Sequence, residues 1–487
     1  MNPEKPTHIA EPARSTEVFG DYDVVVLGGG PAGIAAATAA ARNGARVLLV
    51  ERYGFLGGMG TAAGVTNFCG LHANVHGTIG QVVHGVADDL LDRMRALDGL
   101  SEPHLIFGKI HAQAYDMSAF KCAADALLES AGAQLLFHAY SAGVVRDASG
   151  AIDALLLETK SGRCAVRARV FIDCSGDGEI AQRAGLPMEK GDADGHLLYP
   201  TLMFRVGNVD AVRAGDAWRT IPQRMDEAEA SGDFRFPRRG AIVRPQKHAY
   251  EWRVNVTQMR NADGSATDGT DARSLSAGEL EGRRQIVEYL RFLRARVPGF
   301  EGAYALDIAP QLGIRETRRL VGEYALSGTD VTDCADFDDS IGVNGWPLEK
   351  HVAGDVQWGW PPIPESRGYN QLPYRMLLPR RASARGADNL LAAGRCASMT
   401  HDGHSAARVS GACFVMGQAA GTAAALALAN GCTPHDLRVA DLQRRLVEQG
   451  AFLGESESPA ATKTSAASNA ATATNEPAAT HASKAVR

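Results

Sequence analysis

The chain has 487 residues, 45% of them hydrophobic and 22% charged, which excludes a wholly disordered, collagen-like or coiled-coil protein. Its 50 Lys and Arg residues against 56 Asp and Glu residues give a net charge of −6, so no basic excess is available for nucleic acid. Its 8 cysteines are scattered without a C-x-x-C pair, which excludes a zinc ribbon and indicates a reducing, cytoplasmic environment.

The first predicted elements form a compact βαβ unit. Residues 1–20 are polar and are expected to be a flexible lead-in without a signal segment. Residues 23–27 and 46–50 are short apolar runs typical of buried strands, and the Ala-rich residues 31–43 between them predict a helix. This order predicts a parallel sheet with a right-handed crossover.

The middle of the chain differs in character from both ends. Residues 191–385 hold all 5 tryptophans and a long charged helix expected at 276–296. Residues 389–393 return to the buried-strand pattern, and a helix of small residues follows at 406–430, interpreted as buried rather than membrane-spanning. Residues 455–487 are rich in Ala, Ser and Thr and are predicted to be disordered.

These elements predict an α/β fold with an inserted domain. A Rossmann-like domain, with a parallel sheet and crossover helices, is expected from residues 21–190 and 386–450. Residues 191–385 are expected to form a mixed α+β substrate or cap domain.

The strongest chemical signal is the segment Gly28-Gly29-Gly30-Pro31-Ala32-Gly33, which matches G-x-G-x-x-G between a buried strand and a helix. Gly28 permits a tight turn, Gly30 lets backbone approach a pyrophosphate, and Gly33 lets helix and strand pack closely. Glu51 closes the second strand, where a carboxylate accepts ribose hydroxyls and repels the 2′-phosphate of NADP. The sequence therefore predicts a dinucleotide site.

Three further segments indicate which dinucleotide is bound. They are residues 57–61 (GGMGT), 171–178 (FIDCSGDG) and 389–395 (NLLAAGR). With the glycine turn they resemble the FAD-binding domain of the two-dinucleotide-binding, glutathione reductase-like flavoproteins. The resemblance implies FAD as cofactor, bound by Gly28, Gly30, Pro31, Ala32, Gly33, Glu51, Arg52, Gly57, Gly58, Met59, Gly60, Thr61, Asp173, Gly176, Asp177, Gly394, Arg395 and Gly411.

The order of several more motifs narrows the resemblance to the bacterial FAD-dependent oxidoreductase family over residues 21–449. These motifs are residues 311–319, 337–342, 372–375, 394–396 and 417–422. The family's aliphatic-Asp-x-His element corresponds here to Leu348-Glu349-Lys350-His351, with Glu in place of Asp.

Two histidines are candidate catalytic residues, because the resemblance implies that residues 399–404 border the flavin ring. His401 or His404 could take a hydroxyl or amine proton while hydride leaves the adjacent carbon. The alternative is that they cap the following helix or bond a flavin carbonyl.

Two arginines are candidates for binding a substrate carboxylate. Arg315 and Arg318 share a face if their segment is helical and point to opposite faces if it is a strand. The alternative is an ion pair with Glu316, Asp338 or Asp339. Weaker candidates are His351, Tyr369 and Tyr374, which could line the substrate side. Cys69 could face the flavin as a thiolate, and the alternative is a packing role.

The expected function is a flavin dehydrogenase or oxidase that transfers hydride from a hydroxy acid, a sugar-type alcohol or an amine to flavin N5. A monooxygenase using external NAD(P)H is the first alternative, and a non-redox FAD-bound scaffold is the second. A small-molecule substrate is expected, with no metal, nucleic acid or membrane partner. The electron acceptor, O2 or another compound, and homo-oligomer formation stay open.

Overall fold

Apolar strands from both ends of the chain form the central sheet of the computed structural model, which describes residue 9, residues 11–384 and residues 387–455. The predicted disordered tail lies outside the described residues except for Glu455, as do residues 1–8 and 10 of the predicted lead-in, whose residues 17–20 belong to a strand. The described residues up to Gly454 belong to one compact unit.

The central sheet combines a parallel part with an antiparallel meander. In order across the sheet its strands are Gln134–Leu136, Val47–Val50, Glu17–Leu27, Gly162–Asp173, Ile152–Thr159 and Tyr140–Arg146, and Leu390–Ala392 also pairs with Gly162–Asp173. The first four strands and Leu390–Ala392 are parallel, while the two meander pairings are antiparallel. The predicted α/β fold with a parallel sheet is confirmed.

The strand Glu17–Leu27 is longer than expected. The apolar run predicts a start at residue 23, but Glu17 and Val18 pair with Cys164 and Ala165. These residues are mostly exposed, so backbone pairing rather than burial extends the strand.

Helices alternate with strands along the described part of the chain. Their bounds are Pro31–Arg42, Met59–Ala62, Val86–Ala96, Met117–Ala131, Glu179–Arg183, Ala211–Ala214, Ile221–Ala230, Ala272–Arg296, Gly328–Thr332, Arg381–Ala384, His401–Ala407, Ser410–Asn430 and Val439–Glu448. Short 3-10 helices occur at Ala217–Arg219, Tyr374–Leu377, Gly394–Cys396 and Pro434–Asp436.

The helices Pro31–Arg42 and Ser410–Asn430 pack backbone to backbone. A Cβ at Gly417 would overlap the carbonyl oxygen of Ala32, and a Cβ at Gly421 would overlap that of Ala36. The small residues of both helices therefore allow an approach that larger side chains would prevent. Ser410–Asn430 is long and apolar enough to cross a membrane, but 78% of the most apolar window is buried inside the protein.

The predicted helix at 406–430 is interrupted. Its first part belongs to His401–Ala407, and Val409 has an extended backbone before the second helix begins at Ser410. The break is held by tertiary hydrogen bonds, because the Ser410 hydroxyl accepts from the Cys69 amide at 3.0 Å and Gly411 N–H donates to the Cys69 carbonyl at 2.9 Å.

The remaining strands form smaller sheets. The largest has the order Ile242–Pro245, Trp252–Asn255, Phe204–Gly207 and Tyr304–Ile308, and the others pair Met188–Lys190 with Arg318–Leu320, Ser340–Asn344 with Asn370–Pro373, Leu348–Val352 with Asp355–Gly359, His72–Val75 with Thr78–Gln81, and Asn67–Phe68 with Ile110–Ala114 and then His104–Ile106. A separate cluster of buried apolar residues runs from Leu202 to Ile314. The predicted boundaries of a domain at 191–385 stay a prediction.

Candidate active site

The predicted glycine turn follows the strand Glu17–Leu27 and forms one wall of a large cleft. Gly28 has a positive φ of 103°, and a Cβ there would overlap the carbonyl oxygen of Cys174. A Cβ at Gly33 would overlap the carbonyl oxygen of Gly28. The helix Pro31–Arg42 therefore begins at the cleft wall, where its first turn is suited to a phosphate group.

Glu51 lines the same cleft, although only 6% of the residue is exposed. One carboxylate oxygen, Oε2, accepts a hydrogen bond from the Gly29 amide at 2.6 Å, and Oε1 accepts from the Tyr53 amide at 2.9 Å. Because a carboxylate has about four lone-pair positions, each oxygen can accept a further hydrogen bond. Glu51 is thus both fixed by the turn and able to bind a ribose.

A second glycine segment faces the first. Gly58 has a φ of 53° and precedes the short helix Met59–Ala62, and a Cβ there would lie 2.7 Å from the Gly30 Cα. The two segments therefore meet through backbone alone. Thr61 does not line the cleft, and its hydroxyl donates to the Leu56 carbonyl at 2.7 Å.

The third wall follows the strand Gly162–Asp173. Asp173 is fully buried and accepts hydrogen bonds from the Ser175 hydroxyl at 2.6 Å and the Ile180 amide at 2.7 Å. Burial raises the pKa of this carboxyl, although the hydrogen bonds act against the rise. Its role in the structure is to shape the turn that places Gly176 at the cleft.

The last wall comes from residues after the strand Leu390–Ala392. The Arg395 guanidinium donates to Asp177 at 2.9 Å, and Gly394 and Arg395 line the cleft. Gly411 lies behind the wall, because a Cβ there would overlap the Gly70 carbonyl oxygen.

Most of the residues predicted to bind the cofactor line this cleft, whose open space amounts to about 1820 Å³ including its mouth. Those that line it are Gly28, Gly30, Pro31, Ala32, Glu51, Arg52, Gly58, Met59, Gly60, Gly176, Gly394 and Arg395. Gly33, Gly57, Thr61, Asp173, Asp177 and Gly411 do not line it and instead support the residues that do. We call the part formed by the lining residues from Gly28 to Gly60 the glycine-rich part.

The cleft continues into a part that we call the arginine-rich part, defined by Arg244, Arg253, Arg315 and Arg408. Arg315, a predicted substrate-binding residue, donates to the Tyr199 carbonyl at 2.7 Å and to the Thr201 hydroxyl at 2.8 Å. Burial, together with the charges of Arg408 and Arg238, holds the pKa of Arg315 well below its ordinary value.

The arginine-rich part also contains a carboxylate–imidazole pair. The Glu349 Oε1 atom lies 3.0 Å from His351 Nε2, and Oε2 accepts from Trp346 Nε1 at 3.0 Å. Burial would raise the pKa of Glu349, but the hydrogen bond to His351 and the charges of His351, Arg408 and Arg315 lower it to about 2. Burial, with the charge of Arg315, holds the pKa of His351 well below its ordinary value.

These shifts define the state of His351. An ionised carboxylate only accepts hydrogen bonds, so the neutral imidazole carries its proton on Nε2 and leaves Nδ1 as an acceptor. Nδ1 is buried and has no hydrogen-bond partner in the part of the chain that the structure describes. An orphaned acceptor in a cleft wall is a position that a ligand hydroxyl or amine can satisfy.

Cys69 lines the cleft beside this pair. Burial and the charge of Glu349 raise the pKa of its thiol to about 12, although Arg253 and Arg408 act in the opposite direction. The thiol is therefore protonated near neutral pH and is a poor nucleophile.

The two histidines predicted as catalytic lie elsewhere. His401 lines a second cleft with Asp192, Thr329 and Asp402, and its Nδ1 lies 3.0 Å from a Glu316 carboxylate oxygen. His404 is fully buried, and neither ring nitrogen has a hydrogen-bond partner among the described residues. Neither residue lines the main cleft, and their catalytic roles stay predictions.

Arg318 is separated from Arg315. It starts the strand Arg318–Leu320, and its Nε donates to the Asp177 carbonyl at 3.0 Å. The ion pairs expected for these two arginines are made by neighbours instead, since Arg319 pairs with Glu316 and Arg375 with Asp339.

Sequence reasoning missed Arg253, Arg408 and Glu349 and gave His351 little weight. The signal for Glu349 and His351 was the Leu348-Glu349-Lys350-His351 element. Side chains alternate between the two faces of a strand, so Glu349 and His351 lie on one face of Leu348–Val352. No local pattern identifies Arg253 or Arg408. Tyr369 and Tyr374, two weaker candidates, are buried and do not line the cleft.

The sheet and the cleft define a Rossmann-type α/β protein with a dinucleotide site. Residues 23–446 match the family model described as FAD dependent oxidoreductase. The chain belongs to this family, so it is an FAD-dependent oxidoreductase and FAD is its cofactor, as predicted. No curated protein matches the chain.

Solved structures resemble the chain at low identity. One is the geranylgeranyl bacteriochlorophyll reductase-like protein from Thermoplasma acidophilum, with 15% identity, a TM-score of 0.45, and coverage of 89% of this chain and 84% of that chain. p-Nitrophenol 4-monooxygenase PnpA from Pseudomonas putida DLL-E4 has 12% identity, a TM-score of 0.45, and coverage of 90% of each chain. The myxobacterial chondrochloren halogenase CndH has 15% identity, a TM-score of 0.41, and coverage of 88% of this chain and 78% of that chain.

The residues of the glycine-rich part fit FAD. A Cβ at Gly28 or Gly58 would overlap neighbouring backbone, so only glycine allows the backbone of these turns to form the cleft wall. Glu51 keeps free acceptor positions for a ribose. Gly28, Gly30 and the start of the helix Pro31–Arg42 would hold the diphosphate, Glu51 the ribose, and Gly394 with Arg395 the portion nearer the flavin.

Proposed function

We propose that the protein is a flavin dehydrogenase or oxidase that oxidises a small polar substrate such as a hydroxy acid, a sugar-type alcohol or an amine. The observation that carries this proposal is the Glu349–His351 pair, which lies in the wall of the cleft that also contains the FAD-binding glycines. Bound FAD supplies a two-electron acceptor that takes a hydride from the substrate carbon.

In this proposal His351 is the catalytic base. Its unpartnered Nδ1 accepts the hydroxyl or amine proton of the substrate, so the hydride and the proton leave from adjacent atoms and a C=O or C=N bond forms. Glu349 is a positioning residue that holds the imidazole through Nε2 and stabilises the imidazolium. The base must be unprotonated before reaction, and the lowered pKa of His351 favours that state.

Anaerobic stopped-flow reduction of the FAD-loaded protein by hydroxy acids, sugars and amines tests the proposal. His351→Ala is expected to slow flavin reduction by about 10²–10⁴-fold with FAD still bound, because a positioned base contributes that much. His401→Ala is the matched comparison and is expected to reduce normally, since His401 lies in the second cleft. Slow reduction in His401→Ala with normal reduction in His351→Ala would make His401 the base. If none of the compounds reduces the flavin, the dehydrogenase proposal is rejected.

A flavin monooxygenase that uses external NAD(P)H is the second candidate. The observation that favours it is the aromatic wall of the cleft, which includes Phe68, Tyr115 and Phe120 with ring centroids 4.4–5.3 Å apart. Such a wall limits water access, as oxygen activation requires. Oxygen consumption that depends on NADPH, with a product one oxygen atom heavier, would establish this candidate instead.

Two broader expectations belong to the same proposal. Membership of the two-dinucleotide-binding superfamily is supported by the parallel order of Val47–Val50, Glu17–Leu27, Gly162–Asp173 and Leu390–Ala392. A cytoplasmic location is supported by the 8 cysteines, which are scattered along the chain without a C-x-x-C pair.

A further inference from the structure

Three arginines lie side by side across the antiparallel sheet next to the cleft. Arg253 on the strand Trp252–Asn255 is directly opposite Arg205 on one side and Arg244 on the other. Directly opposite residues in antiparallel strands are close on the same face, so their like charges repel. Arg205 is neutralised, because it pairs with Asp307 at 2.7 Å and with Glu251 at 3.1 Å.

The other two arginines of this row have no carboxylate partner in the described part of the chain. Arg253 is 5% exposed, donates to the Val65 carbonyl, and keeps a buried Nε without a hydrogen-bond partner. Arg244 instead lies over the Trp218 ring, 3.7 Å from its centroid. Both side chains line the cleft.

A second source of positive charge is Arg408, which lies at the break between two helices. Its Nη2 is 3.7 Å from Glu349 Oε2, and its Nε is buried without a partner among the described residues. Each Glu349 oxygen already has one shorter contact at 3.0 Å, with His351 Nε2 and with Trp346 Nε1, so the ion pair with Arg408 is the longest of the three. Arg253, Arg408 and Cys69 all line the cleft.

Glu349 is the carboxylate that lines the described cleft beside these arginines, and of Arg244, Arg253, Arg315 and Arg408 it forms an ion pair with Arg408 alone. Buried charge without a counter-charge is costly, and an arginine fork matches a carboxylate with two parallel hydrogen bonds. A bound anionic ligand would supply a counter-charge for the others.

Aromatic rings stand beside these arginines. Trp358 lies 6.1 Å from Trp346 and 5.0 Å from Phe107, measured between ring centroids, and all three rings line the cleft. Phe107 and Trp358 come from two different hairpins, so a flat apolar group can contact rings from both.

We propose that the substrate is an aromatic carboxylic acid, with its carboxylate bound by Arg253 and Arg408 and its ring in contact with Trp346 and Trp358. This inference rests on the proposed function in that FAD and substrate share one cleft. For an aromatic 2-hydroxy acid the C–H and O–H bonds break, the C=O bond forms, the hydride goes to FAD, and the proton goes to His351.

The test is binding of benzoate, which cannot be oxidised in this way, to the FAD-loaded protein by calorimetry and by perturbation of the flavin absorbance. Arg253→Met and Arg408→Met are each expected to weaken binding about 10- to 100-fold, as loss of a charge-assisted pair does. Arg408→Lys is expected to restore part of the affinity. Arg205→Met, in the same row but already neutralised, is the matched control and is expected to bind benzoate within about 2-fold of the parent.

FAD content and the melting temperature show whether each variant is folded, and benzoate is expected to raise the melting temperature of the parent but not of the two Met variants. Equal binding of benzyl alcohol would overturn the carboxylate assignment, equal binding of acetate would overturn the ring assignment, and equal binding of inorganic phosphate would indicate a general anion site instead. Unchanged affinity in Arg253→Met and Arg408→Met would reject these residues.

Mandelate then separates this inference from the proposed reaction. If benzoate binds through the two arginines but mandelate leaves FAD oxidised under anaerobic conditions, the carboxylate site stands and the dehydrogenase reaction fails. If no carboxylate binds while a sugar or an amine reduces FAD, the reaction stands and the carboxylate inference fails.

Discussion

Some residues of the site could be predicted from a local sequence pattern, and others could not. Glu51 could be predicted because strand, turn, helix and strand occur within about thirty residues and fix where the second strand ends. Arg253 could not be predicted, because its contact with Val65 joins residues that are 188 positions apart in the sequence. Arg408 and Glu349 are 59 positions apart, and they come together only when the chain segments that carry them fold.

At the same scale, Glu51→Ala is expected to weaken FAD binding about 10- to 100-fold. The change removes the acceptor for the ribose and also the acceptors for the Gly29 and Tyr53 amides. Equilibrium dialysis of FAD with the apoprotein measures the effect. Glu129→Ala, an exposed change on the helix Met117–Ala131, is the control, and equal retention by both variants would contradict the assignment.

Elements were predictable where the hydrophobic pattern is continuous. The helix Pro31–Arg42 and the strand Val47–Val50 lie within a residue or so of the predicted ranges, because burial and the glycine turn both fix their ends. The break before Ser410 was not predictable, because neither Pro nor Gly lies at residues 408 and 409 and the break is held by hydrogen bonds to Cys69. Arg408 lies at that break, and its Nη2 is 3.7 Å from Glu349 Oε2.

The packing of Pro31–Arg42 against Ser410–Asn430 gives a prediction at the element scale. Gly417→Ala is expected to lower the free energy of unfolding by about 1–3 kcal/mol, because the added methyl would overlap the Ala32 carbonyl. It should also weaken FAD binding, since Ala32 lines the cleft. Urea unfolding and FAD titration measure both effects. Gly80→Ala, which has open space around its Cβ, is the control and should change neither.

The whole molecule is expected to lose stability as the pH falls below neutral. Burial lowers the pKa of His72 and of His104 to about 4, with the charges of Arg253 and Arg244 adding to the effect on His104. Burial also holds the pKa values of His351 and His404 well below the ordinary one. Below an unfolded pKa of about 6.5 the unfolded chain binds protons that the folded chain does not, so acid favours unfolding.

His404→Leu isolates one of these contributions. The slope of unfolding free energy against pH between about 4 and 6.5 is expected to decrease by about 1.4 kcal/mol per pH unit relative to the parent, since one titrating group is removed. Urea unfolding of the FAD-loaded protein at several pH values measures the two slopes. Identical slopes would show that His404 is protonated in the folded protein.

The strand Gly162–Asp173 joins distant parts of the chain, because it pairs with Glu17–Leu27 along one side and with Ile152–Thr159 and then Leu390–Ala392 along the other. During synthesis on the ribosome the sheet thus lacks its last partner until residue 392 has emerged. Contacts of such long sequence separation form late and slowly. A nascent chain that stops short of this strand should expose an unpaired edge and depend on chaperones until the carboxyl-terminal segment arrives.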